Sequence, residues 1–305
     1  MSALLLAFDS FWRAPSPALR LAGVRLLTGS FAVLYLLVRA PVLADFSQLH
    51  PVDFDPVGVV QALHAPLPAM VVWGLWALCV LTGAAFCVGL RFQVSGPAFA
   101  LLFLWVTSYR NSWGMVFHTD NLAVIHLLIL GLCPAADALA IDARGRPDPA
   151  HDARYGWPLR LLGAVTVATY VLAGVAKLRN SGMAWATGDV LRNYIAYDAM
   201  RKIQLGSLHS PFGAWLVQHA WPFPIIGALT FVLELGAPVA MLGGRVAVTW
   251  VASIWAFHVG VLLTMAIAFP YPLCGVGFAA LLPAERVLRL PLVRDLARWL
   301  YKTSG

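Results

Sequence analysis

The chain has 305 residues, of which 60% are hydrophobic and only 11% are charged. Soluble domains carry about 25% charged residues, so this composition excludes a soluble globular enzyme, a disordered chain and a disulfide scaffold. The net charge is +7, and in a membrane protein such a surplus typically anchors loops at the cytoplasmic leaflet instead of binding nucleic acid. We therefore expect an all-α, polytopic integral membrane protein with no nucleic-acid partner.

The N-terminal residues 1–13 contain neither a basic n-region nor a small-residue cleavage site, so we expect no removable signal peptide. Phe8, Phe11 and Trp12 instead predict a short interfacial helix. Eight apolar runs follow, at 22–43, 66–90, 94–109, 119–135, 158–177, 222–242, 246–268 and 271–284. Several are shorter than the roughly 20 residues that span a bilayer, so we expect about eight transmembrane helices, some of them short or re-entrant.

Basic residues between the apolar runs indicate the orientation of the chain. The gap 44–65 holds three Asp and no Lys or Arg, the gap 136–157 holds three Arg, and the tail beyond 284 is basic. This bias predicts that both termini are cytoplasmic. The segment 178–221 should then lie outside, and we predict a surface helix in it from Asp189 to Lys202. No internal repeat or linker is visible, so we predict one domain over 1–305.

Three of the charged or polar residues inside or at the end of apolar runs are candidates for a function. A charge at the bilayer centre costs about 2.5–3.5 kcal/mol on insertion scales, so Glu234 must be protonated or paired with a cation such as Lys177 or Arg25. His258 is either a neutral imidazole bonded to a neighbouring helix or a functional group. Lys177 either extends to the head groups or, because an apolar wall disfavours its ammonium form, acts as a general base.

A second polar group, His118, Asp120 and Asn121, opens the fourth run. These residues are explained by helix capping or by a solvated polar site. The predicted orientation places five groups in the outer leaflet or at its surface, namely His118, Asp120, Lys177, His258 and Tyr271. Composition and spacing thus indicate a polar pocket that opens outward, without naming its chemistry. No cysteine pair has the CxxC spacing of a zinc or redox site, and we expect no metal.

Several motifs, taken in order, resemble a known family. They are Asn111-Ser-Trp-Gly-Met-Val-Phe-His-Thr-Asp-Asn121, Ala173-Gly-Val-Ala-Lys-Leu178, Trp185-Ala-Thr-Gly-Asp189, Glu234-Leu-Gly-Ala237, Phe257-His258 and Phe269-Pro-Tyr271. Together they resemble the bacterial HTTM domain, the membrane domain shared with vitamin K-dependent γ-carboxylases. The resemblance covers about residues 15 to 285.

The resemblance implies a reaction. In the family, a membrane lysine deprotonates vitamin K hydroquinone, which is then oxygenated to the epoxide. This oxygenation drives removal of a γ-proton from a peptide glutamate, and CO2 adds to the resulting carbanion. Lys177 is similar to that lysine, and His258 to a histidine near the quinol oxygens. His118 and Asn121 loosely match an Asn-His pair, and Glu234 resembles an acidic position in the helix before that histidine.

The resemblance also has departures. The family segment reads Gly-Val-Lys-Lys-Leu, whereas Ala176 stands here in place of one lysine, and nothing in the sequence resembles a propeptide-binding region. The resemblance implies a menaquinol-type hydroquinone with O2 and CO2 as co-substrates. Because of the departures, we expect oxidation of the hydroquinone more readily than protein carboxylation. The implied partners are the bilayer of a bacterial inner membrane and a small peptide or protein substrate. The alternative is a non-enzymatic quinone- or lipid-binding membrane protein, such as an immunity or assembly factor; a transporter is less favoured because no repeat is visible.

Overall fold

The computed structural model describes residues 3–46, 48–114, 118–147 and 149–289, and this part of the chain is helical without a β-strand. Its α-helices, in chain order, are α1 (Ala3–Arg13), α2 (Ala18–Val38), α3 (Ala40–Phe46), α4 (Ala69–Val88), α5 (Phe92–Asn111), α6 (Asn121–Gly131), α7 (Ala153–Ser181), α8 (Asp189–Gln204), α9 (Pro211–Leu216), α10 (Pro222–Leu235), α11 (Gly244–Met265) and α12 (Pro270–Leu273). The expected all-α class is confirmed.

Five of these helices are long and apolar enough to cross a bilayer, namely α2, α4, α5, α7 and α11. Two more, α6 and α10, are apolar but have only 11 and 14 residues. The chain is therefore a helical membrane protein. A total of eight transmembrane helices and the cytoplasmic position of both termini stay predictions.

Glycine and proline explain why some apolar runs form no long helix. α10 ends at Leu235 because Gly236 and Pro238 interrupt the run, and a 3-10 helix follows over Ala237–Leu242. The last run forms only α12 and a 3-10 helix over Val276–Leu281, which are separated by Gly275 at a φ of 77°. The sequence therefore overstates the length of helix that the run 271–284 forms.

Two predicted peripheral helices are present. α1 covers the N-terminal segment that was expected to be interfacial, and α8 begins at the predicted residue, Asp189, and ends two residues beyond Lys202. α8 exposes large apolar side chains, among them Tyr194, Tyr197 and Met200. The basic tail beyond Arg289 lies outside the described residues.

The chain divides into two compact units: unit 1 comprises Met1–Leu162 and Pro283–Gly305, and unit 2 comprises Gly163–Leu282. In unit 1, α4 packs on α2 and α5, and α6 packs on α5. Gly96 and Gly131 allow close approach of α5 and α6, because a Cβ on Gly131 would lie 2.6 Å from the carbonyl oxygen of Gly96. Small residues at such contacts are typical of membrane helices.

A fully buried arginine also stabilises unit 1. Arg25, on α2, donates hydrogen bonds to the carbonyl oxygens of Cys87, Ala135 and Leu139. Carbonyl groups that have left a helix need donors, and the guanidinium supplies several in one plane. Arg25 therefore binds the segment after α6 and is not the cation that pairs with Glu234.

Unit 2 has an aromatic core between α7, α11 and the 3-10 helices. Tyr170, Trp250 and Phe278 are buried in one cluster. The Tyr170 ring lies 5.3 Å from the Trp250 ring in an edge-on arrangement and 6.2 Å from the Phe278 ring in a stacked one. The Trp250 indole nitrogen donates to the carbonyl oxygen of Leu233, 3.0 Å away, which ties α11 to α10. This core fixes the three helices that carry the site described next.

Candidate functional site

One face of α7 carries the residues that define the site in unit 2. Tyr170, Gly174 and Lys177 follow one another at spacings of four and three residues, so they lie on one side of the helix. Gly174 allows α10 to approach, because a Cβ there would lie 2.8 Å from the Leu235 side chain and 3.1 Å from Cβ of Glu234. The carboxyl group of Glu234 is thereby brought next to the lysine one turn further along α7.

Lys177 and Glu234 form a short ion pair. Nζ of Lys177 donates to Oε1 of Glu234 over 2.5 Å. The Lys177 side chain is 21% exposed, whereas that of Glu234 is only 2% exposed. The prediction that a cation such as Lys177 pairs with Glu234 is confirmed. A substrate that reaches this pair from the exposed side meets the lysine first, with the carboxylate behind it.

The segment after α7 covers the lysine with an aromatic ring. Nζ of Lys177 lies 5.2 Å from the centre of the Trp185 ring, within the range of a cation–π contact. Two glycines permit this arrangement. Gly188 has a φ of 86°, and a Cβ on it would clash with Phe223; a Cβ on Gly227, in α10, would lie 2.2 Å from the Trp185 carbonyl oxygen. The Trp185–Asp189 motif thus positions a ring over Lys177.

His258 has a partner that the sequence analysis did not identify. Its Nε2 lies 2.7 Å from the hydroxyl oxygen of Tyr170, and both residues are buried. The ring of His258 also lies 5.2 Å from that of Phe269. His258 is therefore bonded to a neighbouring helix, α7, through one ring nitrogen.

Several buried polar atoms of unit 2 have no hydrogen-bond partner among the described residues. They are Oε2 of Glu234, Nδ1 of His258 and Nε1 of Trp185. Buried polar groups are usually hydrogen-bonded, and an exception calls for a ligand, a water or a functional role. Each of these three residues already makes one contact that fixes its orientation. Unit 2 thus contains three side chains of fixed orientation, each with one polar atom that can still form a hydrogen bond.

Asp120 belongs to a separate polar cluster in unit 1. A carboxylate oxygen of Asp120 lies 2.7 Å from Arg110, and the other accepts from the Tyr35 hydroxyl over 2.7 Å. Arg110 in turn donates to the Tyr35 oxygen over 2.5 Å. Asp120 is 4% exposed, so its charge is compensated by an arginine that the sequence analysis did not single out.

Of the remaining predicted site residues, His118 and Asn121 are close to Asp120 in the sequence, and Tyr271 is buried in unit 2. His118 is in the 3-10 turn His118–Asp120, but its side chain lies outside the described part. Asn121 is the first residue of α6 and is exposed. Tyr271, on α12 in unit 2, is only 1% exposed. A single pocket formed by all seven predicted residues stays a prediction.

Tyr170, Trp185 and Arg110 were missed as site residues for different reasons. Tyr170 stands seven residues before Lys177, two helical turns away on the same face, and this spacing could have identified it. Trp185 is the first residue of the Trp185–Asp189 motif, so its place there is a signal too. Arg110 closes α5 ten residues before Asp120, and only the fold brings these two side chains together.

Among the described residues, no group of three or more His, Cys, Asp or Glu side chains is placed to hold a metal ion. The four cysteines are free thiols, and two of them, Cys79 and Cys133, are buried. The chemistry available in unit 2 is therefore that of an amine, a carboxyl group, an imidazole and a phenol.

The helices that can cross a bilayer define a helical membrane protein, and its unit 2 contains a Lys–Glu pair and a buried Tyr–His pair. The HTTM domain family model matches residues 14–277, and the chain belongs to the HTTM family. The HTTM domain is the one found in vitamin K-dependent carboxylases. No curated protein and no solved structure matches the chain.

Proposed function

We propose that this protein is a membrane enzyme similar to vitamin K-dependent γ-carboxylases, in which Lys177 accepts a proton from a hydroxyl group of a hydroquinone. The observation that carries the proposal is the Lys177–Glu234 pair, with Nζ and Oε1 only 2.5 Å apart and the lysine on the accessible side. A phenolic hydroxyl has a pKa of about 10, so its deprotonation in a dry site needs a positioned base.

Glu234 gives Lys177 a route to its basic form. An ammonium cannot accept a proton, but the short contact allows the proton on Nζ to pass to the carboxylate, which leaves two neutral groups. Charge separation is costly in a medium of low dielectric constant, so a neutral amine beside a neutral carboxyl group is an accessible state. Oε1 of Glu234, the oxygen that is bonded to Nζ, receives this proton, and Oε2, which has no partner among the described residues, can bond a ligand.

His258 is proposed to orient the second oxygen of the hydroquinone. Its Nε2 is occupied by Tyr170, which fixes the ring, and Nδ1 has no partner among the described residues. Which ring nitrogen carries the hydrogen follows from the direction of the Tyr170 bond. In either tautomer Nδ1 can bond a hydroxyl group, because a hydroxyl both donates and accepts.

The residues present suit a hydroxylated aromatic molecule. Three buried polar atoms of unit 2 lack partners among the described residues, and the rings of Trp185, Phe257 and Phe269 lie next to Lys177 or His258. When bound, a reduced vitamin K or menaquinol-type hydroquinone supplies the electrons for reaction with O2. The further use of CO2 and of a glutamate on a small peptide or protein is proposed from the family alone.

The proposed setting is a bacterial inner membrane. In this arrangement about eight segments enter the bilayer, both termini are cytoplasmic, and the site opens on the outer side. The support is the distribution of basic residues between the apolar runs. A hydroquinone with an apolar tail would then enter from the lipid.

A non-enzymatic quinone- or lipid-binding protein is the second candidate. The observation that favours it is that Lys177, Glu234 and His258 each have a protein partner, as structural polar groups in a membrane do. In that case the protein binds the hydroquinone without consuming it, which separates the two functions experimentally.

The test is hydroquinone-dependent oxygen uptake by the purified protein in nanodiscs that contain reduced menaquinone-4. The informative variant is Lys177→Met/Glu234→Leu, which removes both charges together and so leaves no buried charge without its partner. The matched control is Arg20→Met/Glu285→Gln, which removes another short ion pair, of 2.8 Å, in unit 1. We expect uptake in the wild type and the control and a loss of at least 100-fold in the Lys177 double variant. Binding without uptake in all three would establish the second candidate.

A further inference from the structure

Unit 1 contains a concave pocket whose polar residues have no part in the proposed reaction. Its volume is about 330 Å³ when its open mouth is included. The lining residues come from the C-terminal ends of α2 and α5, from α3 and from the first half of α4, and they are Tyr35, Leu36, Arg39, Leu43, Trp76, Val106, Thr107 and Arg110. Most of this space is the open mouth, so a ligand would lie against these walls and would not be enclosed by them.

Two guanidinium groups flank one ring in the wall of this pocket. The guanidinium carbon atoms of Arg39 and Arg110 lie 5.6 and 5.8 Å from the centre of the Tyr35 ring. Arg110 is committed to Asp120 and to the Tyr35 hydroxyl. Arg39 is exposed and makes no ion pair with any described residue. Two cations therefore face one carboxylate, and the excess positive charge lies at the pocket.

The rest of the pocket is apolar. Leu36, Leu43, Trp76 and Val106 form its walls, and the indole nitrogen of Trp76 is already bonded to the carbonyl oxygen of Leu36. The hydroxyl of Thr107 is likewise bonded to carbonyl oxygens within its own helix. The polar group that remains available to a ligand is thus a cation, the guanidinium of Arg39. The other walls are apolar and suit a hydrocarbon chain.

The place of the pocket in the fold agrees with this chemistry. α2 and α5 are candidate membrane spans, and the pocket lies at their ends, the level at which the head groups of lipids meet a protein. Leu34, Leu37 and Val38, at the same end of α2, are exposed apolar residues. A head group can lie in the open mouth of the pocket beside Arg39, and a hydrocarbon chain can follow this exposed surface.

We propose that this pocket binds an anionic amphiphile, whose phosphate or carboxylate group pairs with Arg39, beside the Arg110–Asp120 pair, and whose hydrocarbon chain contacts Leu36, Leu43, Trp76 and Val106. An arginine pairs with either anion through two parallel hydrogen bonds. The site lies within unit 1 and does not depend on the hydroquinone chemistry proposed for Lys177. Phospholipids and free fatty acids share the required chemistry.

The experiment measures binding of three probes by native mass spectrometry after purification in a neutral detergent. The probes are phosphatidylglycerol, oleate and inorganic phosphate. Arg39→Gln is the test variant, because Arg39 is exposed and pairs with no described acid, so the fold does not depend on it. Arg245→Gln is the control, since Arg245 is an exposed arginine at the start of a helix, α11, in unit 2.

We expect phosphatidylglycerol or oleate to bind the wild type and Arg245→Gln equally, and Arg39→Gln at least ten-fold more weakly. The tighter of the two tailed probes identifies a phospholipid or a fatty acid as the source. Equal affinities of Arg39→Gln and wild type, or equal losses in both variants, would overturn the proposal. Inorganic phosphate binding as tightly as the tailed probes would also overturn it, because the apolar walls would then contribute nothing.

Discussion

Lys177 and Glu234 show how a membrane protein keeps a carboxyl group in an apolar environment. Glu234 is almost completely buried, one of its oxygens has no partner among the described residues, and the other is bound by the lysine. The cost of burial is offset only while both members of the pair are present. Loss of Lys177 alone is thus expected to weaken the fold of unit 2 as well as the proposed chemistry, so this single substitution cannot separate the two roles.

The first prediction concerns the removal of one charge or of both. Lys177→Ala leaves Glu234 buried without its cation and should reduce the stability of the fold by about 3 kcal/mol. Lys177→Met/Glu234→Leu replaces the pair by apolar side chains and should melt close to the wild type. Melting curves in detergent measure both. If the single variant were as stable as the wild type, the ion pair would have no structural role.

The second prediction concerns the carboxyl group itself. Glu234→Gln keeps an oxygen that can accept from Lys177, whereas Glu234→Ala leaves the lysine without a partner and creates a cavity. The loss of a hydrogen bond to a charged group costs about 1.5–3 kcal/mol, so Glu234→Gln should melt above Glu234→Ala. Glu234→Gln should nevertheless lose oxygen uptake, because an amide cannot take the proton from Nζ. Unimpaired uptake would contradict the proposed proton acceptor.

At the level of helices, the approach of α7 and α10 depends on one glycine. Gly174 lies on the same face of α7 as Tyr170 and Lys177, and it lets the last turn of α10 approach closely enough for Glu234 to reach the lysine. Helix contacts in membranes rely on small residues for this reason. The glycine in the Gly174-Val-Ala-Lys-Leu178 segment thus has a packing role that the motif alone does not disclose.

The third prediction tests this contact. Gly174→Leu should force α7 and α10 apart, cost about 1–3 kcal/mol as overpacking does, and abolish oxygen uptake because Nζ and Oε1 separate. Gly260→Leu is the matched control, because Gly260 lies in a helix of the same unit, α11, and has open space where a Cβ would be. The control should keep its stability and its uptake. Equal effects of both substitutions would refute a specific role for Gly174.

The sequence predicts these helices better than it predicts their ends. Long apolar runs specify α2, α4, α5, α7 and α11, because burial of twenty apolar residues in lipid outweighs local preferences. The run 271–284 looks similar in composition, but Pro272 and Gly275 divide it into short helical pieces. The beginning of α8 at Asp189 was predicted, and the structure shows that Gly188, just before it, has a left-handed conformation.

At the scale of the whole molecule, the charged residues inside the apolar runs could be identified from the sequence, but most of their partners could not. The cost of a buried charge predicted that Glu234 is protonated or paired with a cation such as Lys177 or Arg25, and the structure pairs it with Lys177. Arg110, by contrast, meets Asp120 through the packing of α5 and the turn before α6, which no spacing rule encodes. Long-range side-chain pairs depend on helix rotations and tilts that hydrophobic patterning leaves open.

Unit 1 also joins distant parts of the chain through an ion pair near its N-terminal and C-terminal segments. Arg20, on α2, donates two hydrogen bonds of 2.8 Å to the carboxylate of Glu285. Burial raises the pKa of Glu285, but the hydrogen bonds and positive charge of Arg20 outweigh it, so this pKa lies below its ordinary value. The residues are 265 positions apart, and the pair therefore stabilises the closure of unit 1.

The fourth prediction follows from the sign of this shift. A carboxyl group whose pKa is lower in the folded state stabilises the fold above its unfolded pKa and loses that effect as the pH falls through the folded value. The melting temperature of the wild type should exceed that of Arg20→Met/Glu285→Gln at pH 7, and the difference should shrink below the ordinary pKa of 4.5. A difference that stays constant down to pH 3 would show that the pair contributes no linked stability.

The measurement that tests the central claim most directly is the product formed from a reduced menaquinone. The protein in nanodiscs is incubated with reduced menaquinone-4 and oxygen, and the quinone fraction is analysed by mass spectrometry. Lys177→Met/Glu234→Leu, which should retain its fold, is the comparison. The account predicts that the wild type forms the epoxide and the double variant does not. Equal amounts of epoxide in both samples, or oxidation to the quinone alone, would contradict the role assigned to Lys177.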